Sequence, residues 1–249
     1  MTDTNTANGG ANTERPLTGK VALVTGGGRG IGKAIAQRLA KLGAAISICG
    51  RTEEPLLGTA QELRAFGVRV HAQTADVTRP GDIASLVEST EKELGPITIL
   101  VNNAGIGGFG PFHEKSEEEW DRVLNTNLKS VFLVARAVAP LMMRRGGGDI
   151  INISSLAGKN TFAGGGIYCA SKWGLQGLSG CMAEDLRGYG IRVSVICPGS
   201  VATEFSGGGP KDPKKVLTAE DVAHAVGMVA VQGPQSFISE VHLRPVRKP

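Results

Sequence analysis

The sequence predicts an α/β fold: a single-domain, doubly wound parallel sheet of about seven strands with helices on both faces. Three observations predict it. From Leu17 onward, short β-branched runs alternate with longer amphipathic stretches. A glycine-rich turn joins the first apolar run directly to the first amphipathic stretch. No shift in composition interrupts the alternation, so the expected organisation is a disordered polar tail over 1–16 and one domain over 17–249. The first fifteen residues lack the apolar stretch of a secretory signal, and Asp3 and Glu14 against Arg15 alone do not fit a transit peptide.

The first strand is expected over 20–25. It runs into Thr25-Gly26-Gly27-Gly28-Arg29-Gly30-Ile31-Gly32, with a helix beginning near Ile31. Glycines there permit a tight turn and let backbone approach a pyrophosphate, whose charge a helix N-terminus favours. With 36 glycines in the chain the spacing alone is weak; its place between strand and helix gives it weight. The second strand, 45–49, ends at Gly50 and Arg51. A fold selecting NAD places a carboxylate there to hold the ribose 2′-hydroxyl. Arg51, with Arg29 in the glycine turn, would instead pair with the 2′-phosphate of NADP through charge-assisted hydrogen bonds. A helix is expected near Pro55, then a third strand over 69–74 followed by Asp76, where an adenine edge could be read.

After a helix near Gly81, the fourth strand, 97–102, ends in Asn102-Asn103-Ala104-Gly105, small residues across which a cofactor could lie flat. A long helix is expected over 117–145, opened by a capping-box pair, Ser116 and Glu119. Gly146–148 ends it before the fifth strand, 149–154, and Ser155 follows. The next helix begins near Ile167, just past a second glycine run, and carries Tyr168 and Lys172. Four residues apart, they share a helical face. A free tyrosine, with a pKa of about 10, is a poor proton carrier near neutrality, and a nearby ammonium is expected to lower that value. Ser155 could polarise the same carbonyl oxygen. The sixth strand, 191–197, leads into Pro198-Gly199 and Thr203. A third glycine run, Gly207–209, reads as either a surface linker or the hinge of a substrate lid. Thr218 and Asp221 cap a helix at Ala219, and the seventh strand is expected over 237–243.

Several function classes fall away. A net charge of +4, spread along the chain apart from a basic tail at 244–248, is no nucleic-acid footprint. Cys49, Cys169, Cys181 and Cys197 have no CxxC spacing and read as buried thiols of a reduced protein. His71, His113, His224 and His242 are scattered singly without ligand spacing, so no metal site is expected. No apolar run approaches membrane-spanning length, and a cytoplasmic protein is expected. A serine hydrolase built on Ser155 lacks GxSxG and a histidine partner.

Over about 17–245 the chain resembles the classical short-chain dehydrogenases/reductases, in their NADP-preferring branch. The resemblance rests on TGGGRGIG at 25–32, NNAG at 102–105, NTNLKS around Asn127, NISS ending at Ser155, YCASK at 168–172 and PGSVAT at 198–203. It implies a Rossmann-fold catalytic domain with a tetrad of Asn127, Ser155, Tyr168 and Lys172. Tyr168 would be the proton donor, Ser155 would hold the carbonyl, Lys172 would bind the nicotinamide ribose and tune Tyr168, and Asn127 would hold a water. It further implies NADP contacts from Gly26, Arg29, Gly30, Ile31, Gly32, Arg51, Asp76, Val77, Asn102, Ala104, Gly105, Pro198, Gly199, Val201 and Thr203. The expected activity is hydride transfer between NADP(H) and a carbonyl or secondary alcohol, 3-oxoacyl thioesters included. The other reading is a non-catalytic NADP(H)-sensing protein. A homotetramer or homodimer is expected, with the 117–145 helix between subunits. Two departures weaken any carry-over of substrate: the SFISEVHLRPVRKP ending and a short 204–217 segment. The pocket is expected from loops at 106–112, 156–162 and 204–217. The basic cluster Lys211, Lys214 and Lys215 reads as solvated surface, or as a docking point for an acidic carrier.

Overall fold

The structure, a computed structural model, describes residues 15–206, 212 and 214–247. Of the tail expected over 1–16, residues 1–14 lie outside the described residues, as do the glycine run at 207–209 and Lys211, whereas Arg15 is tied to Thr18 by hydrogen bonds to its carbonyl. The elements run β1 (Val21–Thr25), α1 (Gly30–Lys41), β2 (Ala45–Gly50), α2 (Glu53–Arg64), β3 (Val70–Thr74), α3 (Pro80–Leu94), β4 (Ile99–Asn102) and α4 (Glu117–Leu124). They continue with α5 (Ser130–Arg144), β5 (Gly148–Ile153), α6 (Gly166–Leu186), β6 (Ile191–Pro198), α7 (Ala219–Ala230) and β7 (Glu240–Leu243).

The seven strands form one sheet in the order β3-β2-β1-β4-β5-β6-β7, and every pairing is parallel. The five inner strands are buried on both faces, which is why they read as largely apolar runs, whereas the edge strands β3 and β7 are partly exposed and more polar. In β1, Ala22 and Val24 join the core beneath α1, α2 and α7, whereas Leu23 joins the core beneath α3 and α5. The order reverses at β1, with β2 on one side and β4 on the other. That reversal opens a crevice at the carboxyl ends of the strands, where ligands of doubly wound sheets bind.

Four expectations need correction. The helix expected over 117–145 is broken: α4 stops at Leu124, a π-helical turn occupies Asn125–Lys129, and α5 starts at Ser130. The wider turn carries Asn127 to the interior, where it is buried. The Ser116–Glu119 capping box is only half formed. Ser116 Oγ accepts from the Glu119 N–H at 3.2 Å, but the Glu119 carboxylate binds Lys115 Nζ at 3.1 Å instead of reaching back. The Thr218–Asp221 box is complete. The last strand is short, because the Ile238 N–H is held by Gln232 Oε1 at 2.7 Å and the ladder begins only at Glu240. Among the four cysteines, all free, Cys181 is exposed rather than buried.

Candidate active site

The glycine turn after β1 is held open by its own backbone. Gly26 and Gly30 sit at φ +66° and +53°, a region that disfavours residues with a Cβ. A Cβ on Gly32 would lie 2.1 Å from the Gly26 carbonyl oxygen, so only glycine lets α1 start this close to the turn. Asn103 braces the same turn: its Nδ2 donates to the carbonyls of Thr25 and Gly26 at 2.9 and 3.2 Å. Thr25 Oγ1 in turn accepts from the N–H groups of Asn103 and Ala104, both at 3.0 Å, locking β1 to the end of β4. No side chain caps α1 and no acidic residue stands in its first turn. Its N-terminal N–H groups therefore face the crevice without a competing anion.

A cleft of about 1400 Å³ spans the carboxyl edge of the sheet. That exceeds the usual pocket of a single drug-sized ligand, roughly 300–1,000 Å³, and has room for a dinucleotide beside a second reactant. It is lined by Gly26, Arg29, Gly30, Ile31 and Gly32, by Arg51, Asp76, Val77, Ala104 and Gly105, and by Pro198, Gly199, Val201 and Thr203. Ser155, Tyr168 and Lys172 line it too. Asn102 and Asn127 do not. Asn102 is buried within the sheet and donates to Asn152 Oδ1 at 2.9 Å, and Asn152 donates to Ser179 Oγ at 2.9 Å. Asn127 ties a loop to a helix: its amide exchanges two hydrogen bonds with the Ile106 backbone, at 2.8 and 2.9 Å, and donates to Ser171 Oγ on α6 at 3.1 Å.

The residues at the adenine end suit a 2′-phosphorylated dinucleotide. β2 ends in Gly50 and Arg51, with no carboxylate at the cleft from this strand. Burial opposes ionisation of Asp76, but hydrogen bonds from the N–H and hydroxyl of Thr78, with Arg51 and Arg79 nearby, outweigh it and hold the pKa below its usual value. Arg29 is not unattached: its guanidinium stands 3.6 Å from Glu204 across the mouth of the cleft, both side chains largely exposed. An exposed pair of this kind contributes little, and an incoming phosphate could displace it.

At the other end, Ser155 caps the 3₁₀ turn Leu156–Gly158, its Oγ accepting from the Ala157 N–H at 3.1 Å. Tyr168, in the first turn of α6, lines the cleft with Ser155, whose side chain is close enough to favour the ionised phenol. Lys172 lies one turn on, its Nζ donating to the Ile153 carbonyl at 3.0 Å and standing 5.8 Å from the Tyr168 ring centre. The expected lowering of the phenol pKa is not found. Burial pushes Tyr168 up to about 12, outweighing the opposite pull of the Ser155 side chain, while the Lys172 ammonium is directed at a backbone carbonyl. Burial pulls Lys172 down to about 8. A phenol kept protonated beside a buried amine can give a proton to an oxygen that gains negative charge in the cleft.

Three of the seven phenylalanines surround that phenol, a feature the sequence reading missed. Phe109 and Phe205 lie 5.2 and 5.8 Å from the Tyr168 ring, and Phe162 lies 6.2 Å from Phe109. They come from the three loops expected to form the pocket. Nothing in their spacing signals that they converge, nor does anything in NNAG single out Asn103 as the brace of the glycine turn.

Comparison with known proteins agrees with this geometry. The profile of the short chain dehydrogenase family matches residues 20–213. A metagenomic short-chain oxidoreductase solved with NADP superposes with a TM-score of 0.83 at 41% identity, over 94% of this chain and 100% of that one. Ketoacyl reductase HetN of Nostoc sp. is 40% identical over 186 residues, 75% of this chain and 65% of its own length. Glycine betaine reductase ATRR of Emericella nidulans is 33% identical over 244 residues, 94% of this chain but only 19% of that longer protein. By family profile, by sequence and by fold, the chain belongs to the short-chain dehydrogenases.

Proposed function

We propose that the protein is an NADP(H)-dependent oxidoreductase that reduces a ketone or aldehyde to the alcohol, with Tyr168 as proton donor. The observation that carries this reading is the buried Tyr168, with Lys172 5.8 Å from its ring and Ser155 beside it, lining a cleft large enough for dinucleotide and substrate together. Relatives and solved neighbours named as ketoacyl reductase or bound to NADP support it.

The glycine turn and the uncapped start of α1 would hold the pyrophosphate, Arg29 and Arg51 the 2′-phosphate, and Asp76 and Val77 the adenine. Ala104 and Gly105 would form the floor, with Asn102 fixing the end of β4 from within the sheet, and Pro198, Gly199, Val201 and Thr203 would flank the nicotinamide. Bound NADPH supplies the hydride that reduces the carbonyl carbon. Ser155 orients the carbonyl oxygen by hydrogen bonding, and Tyr168 delivers the proton to that oxygen as charge develops on it. The Lys172 ammonium lies close enough to stabilise a phenolate once the proton has left. Asn127 acts at one remove, fixing the Ile106 loop against α6. The aromatic wall of Phe109, Phe162 and Phe205 favours a carbonyl carrying a flat apolar substituent over a polyol.

Residues 17–249 are proposed to act as one catalytic domain of a cytoplasmic homo-oligomer. No helix among the described residues is long and apolar enough to cross a membrane. Trp120 on α4 and Phe132 on α5 are large apolar side chains, 45% and 44% exposed, that a second subunit could cover.

The test is NADPH and NADH oxidation measured against aryl ketones, diketones, 3-oxoacyl thioesters, steroids and sugars. Turnover with NADPH, fastest on aryl and other apolar ketones, is expected. NADPH binding with no oxidation across the whole panel would instead identify a non-catalytic binder. In the same assay Gly50→Asp with Arg51→Ala should lower the NADPH/NADH ratio of kcat/KM at least about tenfold, since each charge-assisted bond to phosphate contributes roughly 1.5–3 kcal/mol. An unchanged ratio removes Arg51 from the argument.

A further inference from the structure

On the far side of the sheet edge from the glycine turn, three side chains with metal-binding atoms meet. In the β6–β7 pairing Cys197 stands beside His242, and Val195 beside Glu240. Side chains alternate along a strand, so Cys197, Glu240 and His242 all project from one face. Their donor atoms lie within 4.8 Å of one another. The contacts converge on a single atom, Glu240 Oε1, which receives Cys197 Sγ at 3.3 Å, His242 Nε2 at 3.0 Å and Lys159 Nζ at 2.9 Å. Behind them Gln176 Nε2 donates to Cys197 Sγ at 3.0 Å and to Ser154 Oγ at 3.1 Å.

From this geometry we infer that Cys197, Glu240 and His242 form a binding site for a divalent transition-metal ion of the zinc class. The ligand set is one soft sulfur, one imidazole and one carboxylate, each a ligand type that zinc takes, and a three-ligand set leaves the fourth position to water. Side-chain shifts of roughly an ångström would bring the three atoms to the usual bond lengths of about 2.0–2.3 Å. Glu240 and His242 are partly exposed and give the ion a path from solvent, while the thiol is buried and fixed from behind by Gln176. Lys159 supplies the positive charge at Glu240 when no ion is there; the ion replaces it. On binding, a metal–sulfur bond forms, the S–H bond breaks, and the proton passes to solvent. The single histidines and cysteines carry no ligand spacing along the chain because strand register, not sequence proximity, assembles the site.

Because Gln176 touches both Cys197 and Ser154, the site adjoins the strand end that carries Ser155 without using any residue of the catalytic group. The experiment uses the full chain, reduced and stripped of metal, titrated with Co²⁺ for its spectrum and with Zn²⁺ against a chromophoric chelator. Expected are one ion per chain, a thiolate-to-cobalt charge-transfer band with the d–d bands of a four-coordinate ion, and a higher Tm with Zn²⁺. Cys197→Ser should abolish the charge-transfer band. His242→Ala, at a half-exposed position that does not endanger folding, should weaken Zn²⁺ binding by about tenfold or more, the scale of lost ligand support. Lys159→Met should tighten it, and Cys181→Ser, which removes the exposed thiol, should leave it unchanged. No Zn²⁺ binding by the wild-type chain, or binding that survives both Cys197→Ser and His242→Ala as an adventitious ion only, overturns the proposal. Neither result depends on carbonyl reduction.

Discussion

Tyr168→Phe is expected to lower kcat/KM for carbonyl reduction by about 10²–10⁴-fold, the scale on which a positioned acid contributes, while NADPH affinity stays within a few-fold. The reason is local. The phenyl ring keeps its packing against Phe109 and Phe205, so the wall of the cleft survives and only the hydroxyl is lost. That hydroxyl faces the cleft near Ser155, and burial holds its proton in place with a pKa pushed up to about 12. The phenol therefore keeps its proton through the whole neutral range, the form needed to protonate an alkoxide-like oxygen as it develops. The structural cost of the change is small: at most one hydrogen bond of the hydroxyl, about 1 kcal/mol, or a Tm lower by about 2–4 °C. Steady-state reduction and NADPH fluorescence titration on the same sample separate the two roles. Unchanged turnover would remove Tyr168 as the acid, and a parallel loss of NADPH affinity would reassign it to cofactor binding.

The architecture was legible because parallel strands buried on both faces leave unmistakable apolar runs, and because Gly26, Gly30 and Gly32 occur where only glycine fits. Tyr168 and Lys172 were legible as a pair because helical spacing puts them on one face. What escaped depends on geometry that no short window of sequence contains. The π-turn at Asn125–Lys129 inserts its extra backbone width into a stretch whose apolar pattern reads as one helix. Arg29 was expected to await a phosphate, yet it meets Glu204, which arrives from beyond β6. Asn102 was grouped with the cofactor contacts and is instead a buried link between β4 and β5, while its neighbour Asn103 reaches the glycine turn. The lowered phenol pKa expected from Lys172 failed for a reason of direction. Four-residue spacing fixes a shared face, but the ammonium takes the Ile153 carbonyl, and desolvation then decides the titration.

The second large effect concerns Lys172, where catalysis and stability should move in opposite directions. Burial pulls this ammonium from its ordinary 10.5 down to about 8, so below pH 8 the folded chain carries a charge it has to keep out of water. A shift of that size corresponds to roughly 3 kcal/mol of destabilisation, only partly offset by the bond to the Ile153 carbonyl, about 1 kcal/mol. Lys172→Met fills the same volume without the charge. It should raise Tm at pH 7 by several degrees while lowering kcat/KM by about a hundredfold or more, the scale of losing a preorganised charge beside the reacting oxygen. The sign with pH follows from proton binding. Below pH 8 the folded and unfolded chains both hold the proton, and the penalty is complete. Between about 8 and 10.5 the folded chain releases it first, so the wild type gains stability as pH rises, and above 10.5 the penalty is gone. The Tm advantage of Lys172→Met should therefore be greatest at neutral pH and vanish as pH approaches 10.5. Thermal unfolding of both proteins across that range is the check. A variant less stable than wild type at pH 7, or one that still reduces ketones at the wild-type rate, would mean that Lys172 holds the fold together rather than serving the chemistry at Tyr168.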